Sequence, residues 1–161
     1  TYKQLNGARD IGRARRWADA RRAKGLPGIL ILRSVGNDKE PLSDLPAMTT
    51  ASIQFWDGFQ ALAGGGVVVI LEVAINERFT TSVDDFIALN EASVPAAQTI
   101  KDAGFTPGVL ITSEGNQPGL RPDDPWGMDF WLNPRVLACL RQFRAMGAIG
   151  LQLIAEARGE R

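Results

Sequence analysis

A polar tripeptide, Gly36-Asn37-Asp38, follows residues 28–35, which have the length and apolar character of a buried strand. In open α/β sheets, ligands bind at the carboxyl ends of the strands. Gly36 allows the backbone to turn sharply there, and the Asn37 amide can donate hydrogen bonds across the strand ends. A fixed donor in that place suits an oxyanion hole, which stabilises developing negative charge. The alternative is an Asx-turn, in which Asn37 or Asp38 caps its own backbone.

Carboxylates follow two further apolar segments. Asn76-Glu77 comes directly after residues 67–75, VVVILEVAI, and Ser113-Glu114 comes directly after residues 108–112, GVLIT. A carboxyl group at a strand end can act as a general acid or base, and it can equally be a solvated side chain without a chemical role. Both strand ends therefore count as candidate sites.

The chain contains no histidine and a single cysteine, Cys139. Histidine is the commonest general base near neutral pH, so this chain cannot run a serine–histidine mechanism alone. Cys139 lies in an apolar stretch and is expected to be buried; a disulfide to a partner or a reactive thiol are the alternatives. The residues imply no cofactor and no metal.

Charge and hydropathy limit the classes of partner that the sequence supports. The 18 basic and 18 acidic residues balance, so nothing in the composition favours a nucleic acid. No apolar run approaches the roughly 20 residues that a transmembrane helix needs. A length of 161 residues suits one domain, residues 1–161.

Helical and strand patterns alternate along the chain. Helices are predicted over residues 8–24, 50–63, 83–103 and 134–147, and strands over residues 28–35, 67–75 and 108–112; residues 113–127 read as a loop, and residues 148–155 as a strand or a continued helix. The nearly unbroken apolar run 67–75 fits a central parallel strand. The alternation predicts an α/β sandwich with a mostly parallel sheet.

Local signals set the predicted helix ends. The helix over residues 50–63 has a threonine available as its N-cap and ends at Gly64-Gly65-Gly66. Pro95 predicts a kink in the next helix because proline removes a backbone donor. Gly104 ends that helix, and Pro134 occupies the first turn of the last one.

Several short motifs together resemble the SGNH (GDSL-like) hydrolases, and most closely their acyloxyacyl hydrolase subfamily, which removes secondary acyl chains from lipid A. The motifs are Asn6-Gly7-Ala8, Gly36-Asn37-Asp38, Ser43-Asp44 and Pro46-Ala47-Met48-Thr49-Thr50. The resemblance implies a three-layer α/β/α sandwich, incomplete at its N-terminus, that acts on lipid acyl esters. It implies an oxyanion hole formed by the Asn37 side chain and the Gly7 backbone N–H, and a secreted or lysosomal setting.

The chain departs from the SGNH pattern at the nucleophile and at the base. No Gly-Asp-Ser motif is present, and Trp131 stands where the family has its histidine, within Asp129-Phe130-Trp131-Leu132-Asn133. Asp129 is the candidate acid, and Asp38 and Trp131 are the candidate substrate contacts. Three explanations stay open: the serine lies on a missing N-terminal segment or partner chain, the protein is a lipid-binding pseudoenzyme, or the sequence is imperfect.

A rival resemblance concerns Asn76-Glu77, because an Asn-Glu pair ends the fourth strand of many (β/α)₈ glycosidases. Such enzymes need a second carboxylate roughly 5 to 9 Å away. The sequence offers Glu114, Glu156 and Glu160 without singling one out. A complete barrel needs about 200 residues or more.

The arginines and tryptophans indicate two further, less specific binding possibilities. Six arginines lie on or beside the first predicted helix, and they can meet the phosphates of lipid A or form a solvated helix face: Arg9, Arg13, Arg15, Arg16, Arg21 and Arg22. Trp126 and Trp131 lie near the expected cleft, where they can line an acyl pocket or simply pack.

Overall fold

A computed structural model describes residues 2–5, 10–35, 41–74, 83–110 and 132–151. Strands and helices alternate along these residues: β1 (Tyr2–Leu5), α1 (Ile11–Ala23), β2 (Gly28–Leu32), α2 (Leu45–Phe55), β3 (Val67–Glu72), α3 (Val83–Asp102), β4 (Thr106–Leu110), α4 (Pro134–Met146) and β5 (Ile149–Leu151). Two 3₁₀ turns, Leu42–Asp44 and Phe59–Leu62, flank α2.

The described strands form one parallel sheet in the order β1-β2-β3-β4-β5. Each strand pairs with the next strand along the chain, so Leu5 lies opposite Leu32, Leu32 opposite Leu71, and Glu72 opposite Gly108. The order does not reverse anywhere among these strands. Because β–α–β crossovers are right-handed in nearly all proteins, such an order places successive helices on the same face of the sheet.

The hydrophobic core lies between the helices and one face of the sheet. On that face, Leu30, Leu32, Val69 and Leu71 are each at most 1% exposed. They share one cluster with buried residues from every described α-helix, among them Ala18, Leu45, Ala97 and Phe143. In β2, burial alternates along the strand, as expected when one face is covered and the other is not.

The other face of the sheet is apolar but lies outside this core. Ile29 is 41% exposed and Ile149 is 37% exposed, and Ile70 is buried without belonging to the cluster that the helices share. The predicted α/β class with a parallel sheet is confirmed. The finer expectation of a three-layer sandwich stays a prediction, since it needs a second helix layer over Ile29 and Ile31 and the described helices pack on the opposite face.

Helix α2 begins five residues before the predicted start and ends at Phe55, eight residues before the predicted end at residue 63. The glycines at 64–66 therefore do not end α2; a separate 3₁₀ turn, Phe59–Leu62, precedes them. Helix α2 runs over Leu45–Phe55 with Pro46 in its first turn, where a missing backbone N–H costs nothing. Thr49 and Thr50 are interior residues, and their hydroxyls donate to the carbonyls of Leu45 and Pro46. The prediction of a threonine N-cap was therefore wrong, because a threonine inside a helix can bond the carbonyl four residues earlier.

The other elements lie close to their predicted positions. Helix α3 continues through Pro95, and both α3 and α4 are followed by a glycine with positive φ, at Gly104 and Gly147. β4 begins two residues earlier than predicted, at Thr106, and β2 ends at Leu32 rather than at residue 35. β1 was not predicted, and residues 149–151 of the ambiguous C-terminal segment form a strand.

Candidate functional site

The site residues predicted from the sequence lie outside the described residues: Gly7, Asn37, Asp38, Asp129 and Trp131, and also Glu77 and Glu114. The structure describes the elements that lead to them. β1 and β2 end side by side, and Gly7 follows Leu5 by two residues while Asn37 follows Leu32 by five. The ends of β1 and β2 therefore lie next to each other at the carboxyl edge of the sheet. This is the edge where ligands bind in such folds.

The start of α4 belongs to the same edge. A helix that connects two parallel strands runs back across the sheet, so its N-terminus lies near the carboxyl end of the preceding strand. Asn133 is the N-cap of α4, and its side-chain oxygen accepts a hydrogen bond of 2.9 Å from the Arg135 backbone N–H. Asp129 and Trp131 come just before this cap in the sequence.

At this edge, residues 33–35 are held by side chains from two other elements. The Trp56 indole N–H donates to the Arg33 carbonyl at 2.7 Å, and the Val35 backbone N–H donates to the Ser52 hydroxyl at 2.8 Å. The Ser34 backbone N–H acts to lower the pKa of the Glu72 carboxyl group. We call residues 33–35 the exit segment, because they carry the chain from the end of β2 to Gly36.

Helix α2 and its C-cap residue place two of these groups. Ser52 is buried in α2, and its hydroxyl donates to the Met48 carbonyl at 2.8 Å while it accepts from Val35. Trp56 is 1% exposed and packs edge-to-face against Phe55 and Phe59, with ring centroids 4.8 and 5.0 Å away. The indole is thereby fixed with its N–H on the exit segment.

Glu72, the last residue of β3, is the buried carboxylic acid of this edge. It is 5% exposed, and its Oε2 lies 2.9 Å from Arg33 Nε in a charge contact without hydrogen-bond geometry. Burial raises the pKa of the Glu72 carboxyl above its ordinary value, while the Arg33 charge and the Ser34 N–H act in the opposite direction with less effect. The native protein therefore holds the ionised carboxylate at a cost in free energy.

The neighbourhood of Glu72 explains why this group can take part in proton chemistry. Gly108 lies opposite Glu72 on β4, and the Val73 backbone N–H donates to the Gly108 carbonyl at 2.8 Å. Because glycine has no side chain, nothing from that position of β4 covers the carboxyl group. A buried carboxyl with a raised pKa at the carboxyl edge of a parallel sheet is typical of acid–base sites.

Sequence analysis did not identify Glu72, Arg33, Ser52 or Trp56 as site residues. One signal for Glu72 was present: it is the sole charged residue in the apolar run VVVILEVAI. A glutamate rarely occupies a buried position unless it is paired or functional. Its partner Arg33 lies 39 positions earlier, so only the pairing of β2 with β3 brings the two side chains together.

Two arginines of α1 have structural contacts. Arg21 donates to the Pro27 carbonyl at 2.9 Å, and Arg22 donates to the carbonyls of Gly64 and Leu62. Both side chains thereby tie loops to the helix. Arg13, Arg15 and Arg16 are exposed, as expected for a solvated helix face.

Cys139 is buried in the core, as predicted, and burial raises the pKa of its thiol. Over the described ranges, no group of three or more histidine, cysteine, aspartate or glutamate residues is arranged to hold a metal ion. In the same ranges, no helix is long and apolar enough to cross a membrane.

Comparison with protein-family models, with curated proteins and with solved structures finds no match for this chain.

Proposed function

We propose that this chain belongs to a glycoside hydrolase whose carboxylates lie at the carboxyl edge of a singly wound parallel sheet. The observation that carries the proposal is the strand order β1-β2-β3-β4-β5 with every described α-helix in one core on one face of the sheet. This is the arrangement of consecutive units in a β/α barrel, where each strand is followed by a helix on the outside.

The topology favours a barrel over a doubly wound sandwich. Doubly wound sheets bind ligands at a switch point where the strand order reverses, and the described strands have no reversal. In a barrel, the face opposite the helices is the interior, which apolar side chains fill in layers. Ile29, Ile31 and Ile70 supply such a face here.

The proposed acid–base residue is Glu77, which the sequence places five residues after the end of β3. The Asn76-Glu77 pair that follows this strand resembles the acid–base motif of (β/α)₈ glycosidases. Glu114 follows the neighbouring strand β4 by four residues and is the first choice for the second carboxylate. Adjacent strands lie about 4.8 Å apart, so carboxylates that follow them can meet the separation that glycoside hydrolysis needs.

The test measures hydrolysis of a panel of nitrophenyl glycosides and soluble polysaccharides. We expect Glu77→Gln and Glu114→Gln each to lower kcat by roughly 10²- to 10⁴-fold, as for loss of a general acid or base. Glu91→Gln is the matched control, since Glu91 is an exposed glutamate of α3 that pairs with Arg135 of α4. Hydrolysis that survives both Glu77→Gln and Glu114→Gln would exclude this mechanism.

A second candidate is a serine ester hydrolase acting on lipid acyl esters, including secondary acyl chains of lipid A. The observation that supports it is the direct pairing of β1 with β2, since Gly7 and Asn37 follow the adjacent residues Leu5 and Leu32. In this proposal the Gly7 N–H and the Asn37 amide stabilise the oxyanion, Asp129 orients the base, and Asp38 and Trp131 contact the substrate. The serine comes from sequence outside this chain.

Asn37→Ala separates the two candidates. In the ester hydrolase it should lower turnover of a short-chain nitrophenyl ester by roughly 10²- to 10³-fold, as for an oxyanion donor. Glu77→Gln should leave that reaction unchanged. Binding of lipid A without turnover would instead favour the pseudoenzyme, and an intact mass with peptide sequencing around Trp131 would show whether a histidine is present.

A further inference from the structure

The exit segment is held more firmly than a chain that has just left a sheet requires. β2 makes its last ladder pairing at Leu32. Two hydrogen bonds then hold the exit segment, from the Trp56 indole to the Arg33 carbonyl and from the Val35 N–H to the Ser52 hydroxyl, and the Arg33 side chain lies 2.9 Å from the Glu72 carboxylate. The partners come from α2, its C-cap and β3, which are elements of the rigid core. The backbone is therefore fixed up to the residue before Gly36.

The Glu72 carboxylate is a group that packing alone does not require here. Ser52 is buried and 1% exposed, and Glu72 is a buried carboxylic acid beside a single described cation, Arg33. An apolar residue at position 72 would extend the apolar run of β3 and avoid the desolvation of a charge. Retaining a carboxylate here is explained if it orients the chain that leaves β2.

We propose that Ser52, Trp56 and Glu72 are positioning residues that hold the exit segment at the carboxyl edge, and that the charge on Glu72 is part of this hold. The inference rests on the proposed function in one respect, namely that the site lies at this edge. It applies to both candidate reactions, since β2 neighbours the strand that leads to Glu77 and itself leads to Asn37. None of the three groups is proposed to touch the substrate.

Among the described residues, Arg33 is the charged group that faces Glu72. Ser52 and Trp56 from α2 and its C-cap carry no charge, and neither does Gly108 at the opposite position of β4. Protonation of Glu72 removes its attraction to Arg33. The exit segment should accordingly be held less firmly at acid pH.

The experiment combines amide hydrogen exchange, resolved by residue, with steady-state kinetics on nitrophenyl glycosides and on a nitrophenyl ester. Ser52→Ala removes the acceptor of the Val35 N–H, and Trp56→Phe keeps an aromatic ring while it removes the donor to Arg33. Ser93→Ala is the matched control, because Ser93 is also buried and bonds the carbonyl four residues earlier, yet lies on α3 away from the exit segment.

We expect Ser52→Ala to speed exchange of the Val35 amide by roughly tenfold or more, while amides within β3 keep the wild-type rate. In whichever reaction the wild type catalyses, kcat should fall by roughly 10- to 100-fold with KM little changed, as for a small misplacement of reacting groups. Trp56→Phe should act in the same direction, and Ser93→Ala should alter neither quantity.

Glu72→Gln tests whether the charge on Glu72 contributes to holding the exit segment. After correction for intrinsic rates, protection of the Ser34 amide in the wild type should fall as the pH is lowered through the titration of Glu72. In Glu72→Gln it should not depend on pH in that range.

Two results would overturn the positioning proposal. One is wild-type exchange at Ser34 and Val35 in both Ser52→Ala and Trp56→Phe; the other is a loss of kcat in Ser93→Ala as large as in Ser52→Ala. If the wild type hydrolyses neither substrate class while exchange at the exit segment responds as described, the proposed function fails and the positioning role stands.

Discussion

Glu72 is the residue whose chemistry is least explained by packing alone. It is buried, it lies beside Arg33 without a hydrogen bond to it, and burial raises the pKa of its carboxyl. A raised native pKa means that the folded protein binds this proton more tightly than the unfolded chain does. The associated stabilisation is complete below the ordinary carboxyl pKa of 4.5 and is lost as the pH rises through the native pKa of Glu72.

Because the native pKa of Glu72 is raised, the effect of Glu72→Gln on stability should depend on pH. Glutamine mimics the protonated carboxyl group, so the variant lacks the cost of the buried charge near pH 7. Measured by denaturant unfolding, the stability of Glu72→Gln relative to wild type should be higher near pH 7 than below pH 4.5. A relative stability that falls as the pH rises would contradict this account of the residue.

Glu91→Gln is the opposite case and serves as the control. The Arg135 hydrogen bond lowers the pKa of the exposed Glu91 carboxyl, with both carboxylate oxygens 2.7 Å from guanidinium nitrogens. Its stabilisation is present above the ordinary carboxyl pKa of 4.5 and is lost as the pH falls through the native value. The effect of Glu91→Gln should therefore be most unfavourable near neutral pH, and small because the pair is exposed.

At the scale of the elements, one close contact fixes how α1 lies on the sheet. A Cβ placed on Gly28, the first residue of β2, would lie 2.9 Å from a ring carbon of Trp17 in α1. The Trp17 ring is partly buried against the core and cannot move aside without repacking. Glycine is thus required here by close approach of the helix rather than by backbone conformation.

Gly28→Ala should lower the free energy of unfolding by about 1–3 kcal/mol, as for overpacking of a core. Gly12→Ala on α1 is the matched control, since the added Cβ meets its nearest atom at 3.5 Å, an ordinary contact. That variant should be neutral or stabilising by up to about 1 kcal/mol because alanine is the better helix former. Thermal or denaturant unfolding of the pair measures both, and equal effects would rule out the Trp17 contact as the cause.

The elements also show what local patterns miss. The glycine that ends α3, Gly104, was predicted correctly, because a positive φ is a local requirement. The start of α2 was predicted wrongly. Residues 45–48 and the threonines that follow are compatible either with a loop before a capped helix start or with the interior of a helix. Which of the two forms depends on burial of Leu45 and Ser52 against the core.

At the scale of the whole molecule, the two faces of β2 differ in how far they are covered. Leu30 is fully buried under the helices, whereas its neighbour Ile29 is 41% exposed on the opposite face. Leu30→Ala should cost about 2–5 kcal/mol of stability, the range for a buried leucine. Ile29→Ala should cost well under half as much because Ile29 is 41% exposed. Comparable losses at the two positions would show that this face is also covered, by a second layer of helices as in the three-layer sandwich or by side chains of a barrel interior.

The sequence by itself determined the class of this protein and most of its elements. Periodicity and glycine or proline punctuation identified α1, α3, α4 and the central strand β3, and the apolar setting of Cys139 predicted its burial. These features depend on how each segment meets an apolar environment, and that information is local. The candidate edge of the sheet also followed from the sequence, since every strand end was followed by polar residues.

Only the tertiary structure decided the order of the strands, the single face that the described helices cover, and the contacts of Glu72. The pairing of β1 with β2 and of β2 with β3 joins residues some 27 to 39 positions apart. Such pairing depends on the combined burial of several segments, which no local pattern encodes. For the same reason, the buried contact between Glu72 and Arg33 was not predicted, because its two residues lie on different strands and meet only when β2 pairs with β3.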